Sequence, residues 1–413
     1  MMDSGDTKVT RLLRWQAGQT PGPWEIVVFP TNRCNLRCRM CWQRWAEKEF
    51  GKVDYASEVD DERLLRLVDE GAEMGVREWT MVGGGEPMVR SDLVMEMCRR
   101  IRQKGMNGAI QTNGTLFKHE QLEELVDLEW DRILVSIDGP NAEINNAIRG
   151  PNSFERATSN LRFLADVKKK QGRKKPNVSI ITVVTNLVHD KLDQMILLAH
   201  ELDCVGVGVS DLLVQGDMCA ELALDERQRA ELNAHLPRAM EAARQHGIHE
   251  NFGATYDAAD QVLSQHEPVE GGGELANALC YEPWLTLAVL AEEGKAGPCC
   301  VFWEQKVDTI KDNTLEEVWL GPYMQDVRQK IKTRRNIPDY CKNCCSNIPM
   351  RTLELRDSLL QLQWMQDQNV GRMAMARRMA GKLIVNLRNR GLRQSIKRGR
   401  EWLMIRAKTR TRN

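Results

Sequence analysis

Three cysteines stand within one short stretch, Cys34, Cys38 and Cys41, in the order CxxxCxxC. Soft thiolates of this kind select zinc, Cu(I) or an iron–sulfur cluster. A structural zinc site takes four ligands, and no fourth lies close by in sequence. A cubane held by three cysteines instead leaves one iron open to a small molecule. On the motif alone a zinc knuckle and a pair of redox thiols also stay open. A second set follows far downstream. Cys280, thirteen residues, Gly294, four residues and Cys299 are followed by the CxxC pair Cys341 and Cys344. Two separated pairs with a hairpin between them have the spacing of a four-thiolate site, zinc or cluster. The doublets Cys299-Cys300 and Cys344-Cys345 leave Cys300 and Cys345 as substitutes. Cys98 falls mid-helix and Cys204 at the start of a strand, both as core thiols.

These thiols need a frame, and the hydrophobic pattern supplies one. Short β-branched runs at Glu25–Phe29, Arg77–Val82, Gly108–Gln111, Arg132–Ile137, Val178–Val184 and Val205–Ser210 alternate with helical patterns near 60–74, 91–104, 119–127, 153–170 and 189–202. In the first helix Leu64, Leu65, Leu67, Val68 and Ala72 share a face, with Asp60 and Asp61 as cap candidates. Six successive βα units predict an α/β fold with a parallel sheet and helical crossovers. A partial barrel and an open doubly wound sheet both satisfy this pattern. Residues 1–23 read as a loose arm and 24–216 as the core. Residues 217–279 form a helical connection ending in a linker at 268–273. The second cysteine set occupies 280–345, with a hairpin turning at Glu292–Gly294, and 346–413 form a basic helical tail.

Strand ends are where parallel α/β enzymes place their chemistry. The first cysteine motif follows strand one. Gly83-Gly84-Gly85-Glu86-Pro87 follows strand two; its glycines allow close backbone approach and its carboxylate can accept from an amine. Asn113 and Gly114 follow strand three, and Ser136-Ile137-Asp138-Gly139 ends strand four, with Arg149-Gly150 downstream and then Ser153-Phe154. Asp211 ends strand six, as a general base or a helix cap. Cys219 lies just beyond it on the same side.

CxxxCxxC after a first strand, joined to these strand ends, resembles the radical S-adenosylmethionine (SAM) superfamily. The resemblance spans about residues 24–345. It implies a partial (β/α)6 TIM-like barrel with a small C-terminal auxiliary-cluster domain. It implies a [4Fe-4S] cluster on Cys34, Cys38 and Cys41 whose open iron binds SAM. Reduction then cleaves SAM to a 5′-deoxyadenosyl radical, which takes a hydrogen from substrate. Gly84, Gly85 and Glu86 match the family's GGE motif, which binds the SAM amino group. Asn113, Ser136 and Arg149 are carried over as further SAM contacts. Many relatives have His-Asp where this chain has Asn145-Asn146. The second cysteine set resembles the first half of a SPASM domain, or its shorter Twitch form. That implies one auxiliary [4Fe-4S] cluster on Cys280, Cys299, Cys341 and Cys344. In some family epimerases a cysteine returns a hydrogen atom, a role Cys219 could fill. A low-potential donor such as flavodoxin or ferredoxin is the implied electron source.

Composition bounds the rest. The 413 residues are 42% apolar, which excludes a mainly disordered chain. Lys plus Arg and Asp plus Glu are both 58. From Arg372 onward 14 basic residues face one acid, Glu401, leaving about −13 on the body. Met379, Leu383, Leu387, Leu392, Ile396 and Leu403 recur there at helical spacing, which fits a membrane surface or an anionic partner. No recognisable nucleic-acid module accompanies it. No apolar run reaches 18 residues and no signal peptide opens the chain, so a cytoplasmic enzyme, peripheral at a membrane if the tail binds one, is expected. About 23 residues precede strand one, too few for a peptide-recognition domain. The auxiliary cluster implied by the resemblance suits a net oxidation or related modification, and the short N-terminal segment tilts the expected substrate toward a carbohydrate-like or other small molecule. A peptide maturase and a SAM-binding electron-transfer protein without turnover are the alternatives.

Overall fold

The structure, a computed structural model, describes residues 6–51, 53–214, 217–252, 273–302, 304, 306–344 and 347–366. The basic residues beyond Gln366, the linker reading at 268–272, and Cys345 lie outside them. Met1–Arg356 form one compact unit, and the residues from Asp357 onward form a second.

All six expected strands are present: β1 (Glu25–Val28), β2 (Glu78–Met81), β3 (Asn107–Thr112), β4 (Arg132–Ser136), β5 (Asn177–Val184) and β6 (Gly206–Asp211). Three more join them: β7 (His249–Glu250), β8 (Thr286–Val289) and β9 (Ala296–Gly297). The order is β7-β6-β5-β4-β3-β2-β1-β8-β9, parallel from β7 through β8, with β9 antiparallel to β8. Among the described residues the two ends of the sheet do not pair, so the barrel is partial and open. β8 pairs with β1 over Glu25↔Thr286 to Val28↔Val289. The hairpin of the second cysteine region thus extends the barrel sheet itself. Its turn falls where the sequence placed it. Glu293 and Gly294 have φ of 55° and 65°, and a Cβ on Gly294 would stand 2.7 Å from Ile310 Cγ1.

The crossovers are α1 (Lys8–Gln16) before the sheet, α2 (Trp42–Phe50) and α3 (Asp61–Glu73) after β1, α4 (Ser91–Gln103), α5 (His119–Asp127), α6 (Ala142–Arg149), α7 (Ser153–Gln171) and α8 (Leu192–Glu201) between later strands, then α9 (Asp217–Ala220) and α10 (Glu226–His246). α3 shows why the pattern was readable. Asp60 caps it by accepting from Arg63 N at 2.7 Å, acids fill its first turn, and Leu64, Leu67 and Val68 are buried against the sheet. Cys98 and Cys204 are buried in the same core.

The N-terminal reading needs correction. Residues 7–17 are not a loose arm: Thr7 caps α1, and Leu12 and Arg11 are buried. Arg11 donates to Asp6 and to the carbonyls of Gly22 and Pro23, while Asp6 also accepts from Arg77 at 3.1 Å. Trp15 meets Trp319 edge to face at 6.1 Å, and the Arg328 guanidinium lies over both rings. A segment this basic reads as solvated in sequence, but Arg11 buries its stem and spends its head on carbonyls and one aspartate.

Candidate active site

The loop after β1 is fixed before any ligand binds it. Glu58 accepts from Thr31 Oγ1 and from Asn32 N at 2.7 Å. Gln43 at the start of α2 donates to Asn32 O at 3.0 Å. The glycine loop after β2 closes on it from the other side. Gly85 N donates to Thr31 O and Glu86 N to Arg33 O. A Cβ on Gly84 would stand 2.1 Å from Asn32 Oδ1, and one on Gly85 would stand 2.1 Å from Arg33 O. At Gly85, where the neighbouring atoms are backbone, only glycine allows so close an approach. The far end of the cysteine loop is held by α6: Arg39 N donates to Ile148 O, and the Cys38 thiol donates to Arg149 O at 3.7 Å. Asn35, between the cysteines, bonds Asn113 Nδ2 and Thr115 Oγ1, both at 2.9 Å. The ends of β1, β2, β3 and β4 therefore converge on one loop carrying three free thiols.

Glu86 is 2% exposed. It accepts from Thr112 Oγ1 at 2.6 Å, Asn113 N at 2.7 Å and Met88 N at 3.0 Å. Burial pushes its carboxyl above the usual carboxylate range, against the pull of those donors. In this state the carboxylate ties β2 to β3, and the Gly83–Gly85 backbone is what lies against the cysteine loop. Ser136 is half-buried at the end of β4.

Arg149 is buried and pairs with the fully buried Asp138 at 2.5 Å. Burial works against its charge, but Asp138 and the thiols of Cys38 and Cys41 outweigh it and hold the guanidinium above its ordinary range. Asp138 Oδ1 also accepts from Val183 N at 2.7 Å, locking β4 to β5. Sequence reasoning passed over Asp138; its place between Ser136 and Gly139, with an arginine on the next helix, was the available signal. The Asn145-Asn146 departure also finds its reason. Asn145 accepts from Asp138 N and donates to Ser153 Oγ, while Asn146 accepts from Ser153 Oγ and Phe154 N. Both amides brace the Asp138 turn and the loop after Arg149.

Loss of hydration pushes Cys34, Cys38 and Cys41 above the ordinary cysteine value, and the Arg149 charge pulls against it. Leu36 N donates to Cys34 Sγ at 3.5 Å. Among the described residues no three Cys, His, Asp or Glu side chains converge on a single-ion site. Soft donors, an N–H···S bond, a nearby guanidinium and a glycine cradle fit a thiolate-held cluster with a small polar ligand beside it.

Asp211, at the end of β6, is exposed to the mouth; partial desolvation raises its carboxyl and Arg229 opposes that. Cys219 is buried instead, donating to Leu213 O at 3.3 Å and Met40 O at 3.8 Å. The thiol thus lies against the cysteine loop.

Cys280, Cys299, Cys341 and Cys344 line one pocket, with Leu279, Pro298, Val301 and Tyr340 in its wall. Cys300 is exposed and outside that wall. Burial pushes the Cys280 thiol up to about 12 and Cys341 to about 11. Glu282 N donates to Cys280 Sγ at 3.4 Å. A largely apolar pocket with four soft donors fits a cluster with no open iron.

The comparisons agree with this geometry. The family model of the radical SAM superfamily matches residues 28–199, and that of an iron–sulfur cluster-binding domain, SPASM, matches 280–345. The chain belongs to the radical SAM superfamily and carries a C-terminal SPASM-type domain. With that membership go a [4Fe-4S] cluster, SAM and an auxiliary iron–sulfur cluster. A cofactor-modifying protein of tungsten-containing aldehyde ferredoxin oxidoreductase, from Pyrococcus furiosus, is 30% identical over 44% of this chain and 50% of its own length. Pre-heme d1 synthase of Dinoroseobacter shibae is 24% identical over 81% of this chain and 84% of its own. Curated relatives matched at 30% identity or above are covered over about half their length or less. Streptococcus suis SuiB bound to its precursor peptide SuiA shares the fold, with a TM-score of 0.59, 15% identity, and coverage of 76% of this chain and 69% of that one. Among the described residues no helix is long and apolar enough to cross a membrane.

Proposed function

We propose that this chain oxidises a substrate held over the open mouth of the barrel. The observation that carries the reading is the convergence of four strand ends on the three-thiol loop. Cys34, Cys38 and Cys41 would hold the cluster, and the Gly84–Gly85 backbone, Glu86, Asn113, Ser136 and Arg149 would place SAM against it. When bound and reduced, this pair supplies reductive cleavage of SAM and hydrogen abstraction from substrate. Arg149, braced by Asp138, keeps a fixed positive charge beside the thiolates. Asp211 would take the proton that a substrate sheds on oxidation, and Cys219 stands where it reaches the thiol loop. The pocket of Cys280, Cys299, Cys341 and Cys344 would hold the auxiliary cluster that accepts the electron.

The substrate reading moves with the mouth's surface. Trp42 at the start of α2, and Tyr55, Val89, Leu213 and Val214 in the segments that follow β1, β2 and β6, are exposed. Apolar side chains there favour a small molecule with an apolar or aromatic body over a carbohydrate. Relatives named for heme d1 synthesis and cofactor modification are in keeping with this. A peptide is the second reading, since the same rim serves apolar side chains. A flavodoxin or ferredoxin would reduce the cluster, and the basic residues beyond Gln366 would bring the enzyme to an anionic membrane surface in the cytoplasm. The test is anaerobic reconstitution with iron and sulfide, then dithionite and SAM. 5′-Deoxyadenosine should form and should vanish in the C34A/C38A/C41A variant. Equal yields from both proteins would overturn the reading.

A further inference from the structure

Beside the second cysteine pocket stands a hydroxyl pair that the reading above does not use. Tyr340 is 3% exposed, packs in one apolar cluster with Cys299, Cys341 and Cys344, and lines the pocket wall. Its hydroxyl lies 3.2 Å from that of Tyr323, on the helix Pro322–Thr333. Two phenols carry two O–H protons, and this contact uses one. The described residues show no second hydrogen bond for either hydroxyl. Of the other polar side chains in the wall, Glu282 is engaged by Thr286 Oγ1 at 2.6 Å and Thr352 hydrogen-bonds Cys280. Among the described residues one phenolic proton is therefore left without an acceptor, and Tyr340 is the buried member of the pair. The acceptors the pocket is built to hold are sulfur atoms.

We propose that the Tyr323–Tyr340 pair is a tuning device for the auxiliary cluster: Tyr340 donates an O–H···S hydrogen bond to it, and Tyr323 donates to Tyr340 and orients it. The assignment rests on the auxiliary-cluster reading of Cys280, Cys299, Cys341 and Cys344. Such a bond favours the more negative, reduced cluster and so raises its reduction potential. Tyr340 is a positioning and tuning residue here, with no bond made or broken at it.

The experiment uses the full chain carrying C34A/C38A/C41A, reconstituted with iron and sulfide so that only the auxiliary site loads. Iron and sulfide content of this parent tests the underlying reading first. A parent that binds zinc or no cluster overturns both, whereas a loaded parent isolates the tyrosines. The potential is then read by EPR-monitored redox titration in the parent, Y340F, Y323F and the double variant. Y340F should shift the potential to more negative values at unchanged loading. Y323F should shift it the same way by less, and the double variant should go no lower than Y340F. An unchanged potential in Y340F overturns the proposal, as do strictly additive shifts. If Y340F fails to load, Y323F decides alone, and an unchanged potential there overturns it.

Discussion

Asp138 makes the case at the scale of the residue. It has no accessible surface, pairs with Arg149 and accepts from Val183 N. Asp138→Asn leaves a buried guanidinium without its counter-charge, which costs about 3–5 kcal/mol by analogy with other broken buried pairs. Chemical denaturation should show that loss, and SAM binding to the reconstituted protein should weaken at least tenfold. Normal stability with normal affinity would mean that the pair is ornamental. Asn145→Ala tests the brace one step away and should cost about 1–3 kcal/mol, because Asp138 N and Ser153 Oγ both lose a buried partner. The cysteine pattern stood out in the sequence by its spacing, while the glycines and Arg149 were picked out through the family resemblance that this pattern suggested. Asp138 and the two asparagines were not, because a residue whose work is to hold another leaves no spacing of its own.

Among the elements, α1 is the one whose burial the sequence hid. Leu12 is buried and Trp15 packs on Trp319, and charge then fixes the helix in place. Burial alone would raise the Asp6 carboxyl, but the hydrogen bonds and charges of Arg11 and Arg77 outweigh that and hold it below the ordinary value of 3.8. A depressed carboxylate contributes stability that is complete above its unfolded value and fades as pH falls through the folded one. Acid should therefore loosen α1 below about pH 4. Asp6→Asn should lower stability near neutrality and match the parent protein at the acid end. Parallel stability–pH curves for the two proteins would sink this account. The six βα units were legible because doubly covered strands are continuous apolar runs. β8 was legible as part of a hairpin, but its partner was not: the edge of β1 that receives it lies some 260 residues earlier, and the pairing is set by the open side of the sheet.

At the scale of the whole molecule, that pairing has a thermodynamic consequence. The cysteine-bearing C-terminal region is stitched into the start of the chain. Arg63 on α3 donates to Ile310 O at 2.6 Å and Asn313 O at 2.9 Å, and Glu70 accepts from Leu315 N at 2.8 Å. Trp319 Nε1 donates to Pro21 O at 2.9 Å. A region that shares a sheet, helix caps and an aromatic seam with the barrel has no separate core to melt around. Residues of the auxiliary pocket and of the barrel should unfold together, so calorimetry should give one transition with matching calorimetric and van't Hoff enthalpies. Gly294→Ala enters at the turn of β8 and β9, where a Cβ meets Ile310 and Val59 and φ is positive. It should lower that single transition by about 1–3 kcal/mol and should not split off a second one. Binding of a cluster to the auxiliary thiols stabilises the folded state to which it binds, so reconstitution should raise the same transition. Two resolved transitions, with only the lower one responding to iron and sulfide, would show instead that the C-terminal region folds on its own account and that β8 merely rests against β1.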